Sequence, residues 1–382
     1  MNILISPQSF KGSISALNTA KAINIGVKNV LPEAKTIILP VADGGDGTLE
    51  TLVDVSGGEI KNCRVSNPLG VLIDSNWGGM GDNHTAVIEM AKMSGLALIE
   101  PSKRNPMYTT TYGLGETIKD ALDQGYRDFI IGIGGSATND GGVGMAQALG
   151  ALFLDVKGEQ ISYGAQGLSN LVKINLNNLD KRIKESKFLV ASDVTNPLLG
   201  KLGASTIYGP QKGASKDMIP ILEEAMLNFA NVAKKNLDLD VSNIPGAGAA
   251  GGLGAGLMMF LNAELKPGVD IVLDKINFDT YLSDIDLVIT GEGQMDFQTV
   301  YNKAPYGVAL RAKAFDIPVI AISGSLGKNF QDVNKFGIDA VTSISQGAMN
   351  LDELTASVSR LIIESTEQVM RFLEVGSKLD IN

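Results

Sequence analysis

Four turn-like segments of the sequence mix glycine with carboxylates. They are Asp43-Gly44-Gly45-Asp46-Gly47-Thr48, Gly134–Gly142 (GGSATNDGG), Ser192–Pro197 (SDVTNP), and Thr290–Gly293 (TGEG) leading to Asp296. Glycine lets backbone N–H groups approach an anion closely, and a helix that starts just after such a turn adds positive potential. Carboxylates beside those amides have a use if a hard cation such as Mg²⁺ must bridge phosphate oxygens. Any one of these turns is equally explained by glycine and aspartate as ordinary turn and cap formers. Four of them, all at strand ends, point to a shared nucleotide or metal site.

A fifth segment, Gly246–Gly254 (GAGAAGGLG), contains GxGxxG. The preceding Val241–Pro245 makes a poor strand, and no acidic residue closes a second strand about 20 residues on, as a dinucleotide fingerprint requires. The segment reads instead as a glycine-rich helix start that packs closely or lines a phosphate site. GxxxxGK[ST], HRD and DFG are absent, so the chain is neither a P-loop enzyme nor a protein kinase. Cations for phosphate must come from elsewhere. Lys11 in Ser9-Phe10-Lys11-Gly12-Ser13, Lys212 in Gly209-Pro210-Gln211-Lys212-Gly213, and Lys303 all stand in turn-like contexts. A solvated lysine is the bland alternative for each.

The chain has one histidine, His84, and one cysteine, Cys63. A Ser-His-Asp hydrolase and a zinc site are therefore nearly excluded, and no intrachain disulfide can form. A reducing, cytoplasmic compartment is expected, with no signal peptide.

Positioning such turns requires strands that end at them. Short β-branched runs recur at Ile3–Ser6, Thr36–Val41, Phe129–Ile133, Phe188–Ala191, Leu287–Thr290, Pro318–Ile322 and Ala340–Ile344. Continuous apolar runs of this kind suit strands buried on both faces, as in parallel sheets. Helical spacing lies between them. Ala16, Ala20, Ile23, Val27 and Val30 share one face closed by Pro32; Leu114, Ile118 and Leu122 form a stripe ended by Gly125. Leu354, Val358, Leu361, Val369 and Phe372 mark a long C-terminal helix. Alternating strands and helices mean α/β architecture. Ile60–Trp77 reads as polar and turn-rich, and Asn175–Lys187 as charged and weakly apolar.

At 382 residues the chain exceeds the ~250–300 at which a single core stops growing, so two domains are expected. With 42 acidic and 32 basic residues the net charge is −10, with no basic patch. Nucleic acid and anionic membranes are therefore not expected partners. The longest apolar stretch, Leu253–Leu261, holds glycines and is too short to span a bilayer. A homodimer is compatible with the composition.

These segments resemble the bacterial glycerate kinase family, the type with a flavodoxin-like domain. The likeness runs through SFKGS (Ser9–Ser13), ADGGDGT (Ala42–Thr48), GGSATNDGG (Gly134–Gly142), SDVTNPL (Ser192–Leu198) and YGPQKGA (Tyr208–Ala214). It continues through GAGAAGGLGAG (Gly246–Gly256), TGEGQMDFQT (Thr290–Thr299) and APYGVA (Ala304–Ala309). Departures stand at Gln8, where the family often has aspartate, and at Asn302, where it often has glycine. The resemblance implies two α/β domains: a flavodoxin-like three-layer domain, 1–66 plus 283–382, interrupted by a larger inserted α/β domain, 67–282. It implies ATP and Mg²⁺ as cofactors and D-glycerate as substrate.

On that footing Asp43, Asp46 and Glu292 are expected to hold Mg²⁺. Asp193, Lys11 and Asp43 are expected at the reacting groups, with Asp193 as general base because it ends a buried strand. Ser9, Lys11 and Asn196 would meet the glycerate. Gly134, Gly135, Ser136, Asn139, Gly246, Gly248, Lys212 and Lys303 would meet the nucleotide. The 2-hydroxyl is the expected acceptor, with the 3-hydroxyl as alternative. Two other classes stay open. A nicotinamide-dependent oxidoreductase needs a motif order the sequence lacks. A catalytically silent sensor of glycerate or nucleotide would have little use for dense carboxylates.

Overall fold

The computed structural model describes residues 1–379, which form two compact units. One comprises Met1–Val55 with the chain from Gly268 onward, the other Ser56–Pro267. The domain split expected from the sequence has these seams at 66/67 and 282/283. The earlier first seam arises because Glu59–Ser66 pairs antiparallel with Leu72–Gly79 inside the second unit's sheet. The earlier second seam arises because the helix Gly268–Lys275 packs on the helix Ala304–Lys313 of the first unit.

The first unit is built on a five-stranded, wholly parallel sheet. Its order is Ala340–Ser343, Val319–Ser323, Leu287–Thr290, Asn2–Ile5, Lys35–Ile38. Numbered within the unit and read from the other edge this is 2-1-3-4-5, the flavodoxin-like order. Both faces are covered. Ile3, Ile5, Ile289 and Ile322 pack into one cluster with Ile23 and Val27 of the helix Ala16–Val30 and Leu361 and Ile362 of the helix Leu351–Gly376. The alternating Leu4 and Val288 are equally buried on the opposite side. That is why these strands read as continuous apolar runs rather than as an alternation. The C-terminal helix starts at a capping box, with Asn350 and Glu353 each bonding the other's backbone N–H. The order of a doubly wound sheet reverses between Asn2–Ile5 and Leu287–Thr290, and ligands gather beyond the carboxyl ends of strands at such a point.

The second unit carries a six-stranded mixed sheet. Glu264–Lys266, Lys187–Ala191, Asp128–Gly132 and Thr85–Glu89 are parallel neighbours; Leu72–Gly79 and Glu59–Ser66 follow antiparallel. The segment read as polar and turn-rich is thus a β-hairpin. Its exposed face mixes Asn62, Arg64, Asp74 and Asn76 with Ile60 and Leu72, which blurs the strand signal, while Val65 and Trp77 point into the core. Asn67 shapes the turn, its Oδ1 accepting from the N–H groups of Leu69 and Val71. Phe129 and Phe188 stack with ring centroids 4.6 Å apart between adjacent parallel strands. Among the described residues no helix is long and apolar enough to cross a membrane.

Candidate active site

Two of the glycine-acid turns lie beyond the carboxyl ends of first-unit strands, one after the edge strand Lys35–Ile38 and one after the switch-point strand Leu287–Thr290. Asp43 is 6 % exposed; its Oδ1 accepts from the Gly45 N–H at 3.2 Å and its Oδ2 lies 3.2 Å from Lys303 Nζ. Glu292, two residues past the strand Leu287–Thr290, is 9 % exposed and accepts from Thr299 Oγ1 at 2.7 Å. Its turn is fixed from behind. Ser323 Oγ and the Gly324 N–H both donate to the Glu292 carbonyl, and Gln294–Met295 pairs with Ser325–Leu326. Burial pushes the Glu292 carboxyl up to about 7; the Thr299 bond and the Lys303 charge pull it down, while Asp43 and Asp296 push it further up. A buried carboxyl near 7 with a lysine and two further carboxylates around it is the kind of perturbed group that marks functional sites.

Ser9, Lys11 and Asp46 also lie together in this unit. Lys11 Nζ pairs with Asp46 Oδ2 at 2.7 Å on the surface. Ser9, Lys11, Asp46, Gly47, Glu50 and Asp54 are among the residues lining an open hollow of about 350 Å³. The expected metal trio is therefore divided: Asp43 and Glu292 gather at Lys303, and Asp46 is turned to Lys11. Among the described residues no group of three or more acidic, histidine or cysteine side chains is arranged to hold a metal ion.

In the second unit the segment Gly134–Gly142 follows the strand Asp128–Gly132. Gly134 and Gly135 are exposed, whereas Ser136 and Asn139 are buried. The loop is held from several sides. Leu96 N–H donates to Gly135 O, Ala137 N–H to Ser94 O, and Thr109 Oγ1 to Ala137 O at 2.9 Å. Lys212 is only 1 % exposed, and its Nζ donates to Thr138 O at 2.6 Å. Desolvation pushes the Lys212 ammonium down to about 7, against the pull of Asp140. Lys212 thus grips the loop from inside, whereas the family resemblance implies that it meets the nucleotide. Asn139 Nδ2 donates to Ser205 Oγ at 3.1 Å, while Asn139 Oδ1 and Thr138 Oγ1 are buried without a hydrogen-bond partner among the described residues.

Asp193 is exposed, two residues past the strand Lys187–Ala191. Asn196 is occupied by its own unit: Oδ1 accepts from Tyr208 OH at 2.7 Å and Nδ2 donates to Leu202 O at 2.8 Å. Gly246 and Gly248 are buried, with the Gly248 N–H donating to Asn196 O at 3.0 Å. The GxGxxG segment is a closely packed helix start. The helix Ala249–Leu261 opens through Ala250, Gly251 and Gly252 in left-handed conformation. A Cβ on Gly251 would stand 1.9 Å from Thr138 O, so only glycine admits this approach.

Two parts of these clusters carry no separate signal in the sequence. Thr299 stands inside TGEGQMDFQT, and the Thr109-Thr110-Thr111 run matches no motif, yet it bonds the Gly134–Gly142 segment.

The signature of the Glycerate kinase family matches residues 3–374. The chain is 49 % identical to a glycerate kinase of Halalkalibacterium halodurans, over 96 % of this chain and 97 % of that one. It is 46 % identical to the glycerate 2-kinase of Escherichia coli, over 99 % of both chains. Its fold matches the crystal structure of a proposed glycerate kinase 2 from Salmonella typhimurium LT2 with a TM-score of 0.92 and 44 % identity, covering 99 % of this chain and 100 % of that chain.

Proposed function

The chain belongs to the glycerate kinase family, and from that premise we propose that it transfers the γ-phosphoryl group of ATP to the 2-hydroxyl of D-glycerate. The products are ADP and 2-phospho-D-glycerate, and the hydroxyl proton passes to a carboxylate of the protein. The observation that carries this reading is the Asp43–Glu292–Lys303 cluster beyond the carboxyl ends of the flavodoxin-like sheet's strands, in a chain with full-length likeness to the E. coli glycerate 2-kinase.

Phosphoryl transfer asks for alignment and neutralised charge more than for covalent help. Mg²⁺ commonly takes only one or two protein carboxylates alongside substrate phosphates. Asp43 and Glu292 fit that demand: one cation, the Lys303 ammonium, already lies against Asp43, and burial leaves the Glu292 carboxylate under-compensated. These two residues would hold the ion, with Asp46 on the same turn as Asp43. When bound, Mg²⁺ neutralises charge on the transferring phosphoryl group. Lys303 orients its ammonium from the side of Asp43. Asp193 accepts the hydroxyl proton; its exposure leaves it accessible to a bound substrate. Ser9 and Lys11 receive the glycerate carboxylate in the open hollow they line. The exposed glycines Gly134 and Gly135 turn backbone toward the nucleotide phosphates, with Ser136 beside them. Asn139, Lys212, Gly246, Gly248 and Asn196 support these turns from within the unit.

The test is a reaction with D-glycerate and Mg-ATP coupled to enolase, without phosphoglycerate mutase. Phosphoenolpyruvate should form at once. ADP without phosphoenolpyruvate would move the acceptor to the 3-hydroxyl, and absence of ADP would leave a sensor of glycerate or nucleotide.

A further inference from the structure

Asp140 has no part in the chemistry described so far, yet its carboxylate accepts hydrogen bonds from several backbone and side-chain donors. It is 1 % exposed. Its Oδ2 accepts from the Thr111 N–H at 2.8 Å, Thr111 Oγ1 at 2.9 Å, the Gly144 N–H at 3.2 Å and Thr110 Oγ1 at 3.5 Å. Its Oδ1 accepts from the Gly142 N–H at 3.1 Å. Thr111 Oγ1 in turn accepts from the Met145 N–H at 2.9 Å. One side chain therefore ties three backbone segments together: the threonine run, the end of the glycine loop and the first turn of the helix Val143–Ala148. Gly141 and Gly142 are both left-handed, and a Cβ on Gly144 would stand 2.1 Å from Thr110 Oγ1. The path of the backbone around this carboxylate is one that glycine admits and residues with a Cβ rarely adopt.

Such a concentration of donors favours the charged form of the acceptor. Burial is the larger effect and raises the Asp140 carboxyl above its ordinary value, while the Thr111, Gly142 and Gly144 bonds oppose that rise. Lys212, whose charge faces Asp140, holds the Thr138 carbonyl two residues upstream. The loop is gripped at Thr138 and at Asp140 on its inner side, while Gly134 and Gly135 stay exposed at its mouth.

We propose that Asp140 is a positioning residue of the kinase: its carboxylate, backed by Lys212, sets the loop in the conformation whose exposed Gly134–Gly135 backbone receives the nucleotide phosphates. The inference rests on the reading of that loop as the phosphate-binding element. Its signature is selectivity. A loose loop weakens ATP, whereas D-glycerate, assigned to Ser9 and Lys11, is unaffected.

The experiment compares Asp140→Asn, Thr111→Val, Thr111→Ser and Gly134→Leu with the unaltered chain, measuring kcat and both KM values well below every melting temperature. Asp140→Asn puts an amide N–H₂ against backbone donors and should raise the ATP KM at least tenfold, with the D-glycerate KM within twofold. Thr111→Val should move the ATP KM the same way to a smaller extent, and Thr111→Ser, which keeps the hydroxyl, should restore it. Should Asp140→Asn fail to fold, the Thr111 pair alone decides. A Cβ at Gly134 meets nothing within 4 Å, so Gly134→Leu should fold and obstruct the loop mouth directly. If Gly134→Leu raises the ATP KM but the Asp140 and Thr111 variants leave it unchanged, or raise both KM values equally, the positioning role is wrong. If Gly134→Leu also leaves the ATP KM unchanged, the phosphate-loop reading itself falls, and this inference with it.

Discussion

Lys303 Nζ lies 3.2 Å from Asp43 Oδ2 across 260 residues of sequence. The two join turns that leave different strands of one parallel sheet, with Glu292 close enough for its carboxyl to respond to both. An ammonium placed against one buried carboxylate and near another serves charge placement. Its own side chain is 45 % exposed, so its share of fold stability is modest.

Lys303→Met should therefore lower kcat/KM by about one to two orders of magnitude, the scale of losing one preorganised charged contact. The melting temperature should fall by no more than a few degrees. Thermal denaturation and steady-state kinetics on the same preparation check this; a large stability loss with intact turnover would make the lysine a structural residue.

Glu292→Gln should become more stable than the unaltered chain as pH rises. The Glu292 carboxyl is raised from 4.5 to about 7 in the folded chain, so between those values the folded state binds more protons than the unfolded one. Its contribution to stability is full below 4.5 and is lost as pH rises through 7. At pH 8.5, metal-free, the accumulated penalty is roughly 3 kcal/mol at 1.36 kcal/mol per pKa unit, and the glutamine variant escapes it while keeping an acceptor for Thr299. Melting curves at pH 5 and pH 8.5 should show the variants converging at the acid end and separating at the alkaline end. Equal curves at both would show that the carboxyl is not perturbed by its burial.

Removal of divalent cations should abolish turnover, and added Mg²⁺ should restore it. The two carboxylates at Lys303 motivate this. Full activity after exhaustive chelation would remove Asp43 and Glu292 from metal binding.

Asp193→Asn should reduce kcat by about two to three orders of magnitude, roughly 3–4 kcal/mol in the barrier. Because Asp193 is exposed and the exchange nearly isosteric, the melting temperature should hardly change. A variant that keeps more than half the activity takes Asp193 out of the mechanism.

Lys11→Met should raise the KM for D-glycerate more than that for ATP. Its ion pair with Asp46 is 82 % and 58 % exposed at the two ends, so the fold loses little and the kinetic change reports on substrate. A rise confined to the ATP KM would place Lys11 on the nucleotide instead.

The sequence by itself determined the layered architecture and the family. Strands buried on both faces of a parallel sheet have to be continuous apolar runs, and all seven such runs form strands of the two main sheets. The helix Ala16–Val30 and the C-terminal helix were legible from their 3.6-residue spacing. The hairpin Glu59–Gly79 was not, because a strand with one wet face hides its alternation among polar residues. The chemistry at the turns was legible as residue type, and the partners were not. Only tertiary structure decided that Lys303 answers Asp43, that Asp46 turns to Lys11, and that Tyr208 takes up Asn196. It also decided that Lys212 lies inside the unit, bonding a carbonyl 74 residues away. A lysine in a glycine-rich turn looks the same in sequence whether it faces water or a backbone carbonyl. What separates the two cases is the material packed over it, and that material comes from distant parts of the chain.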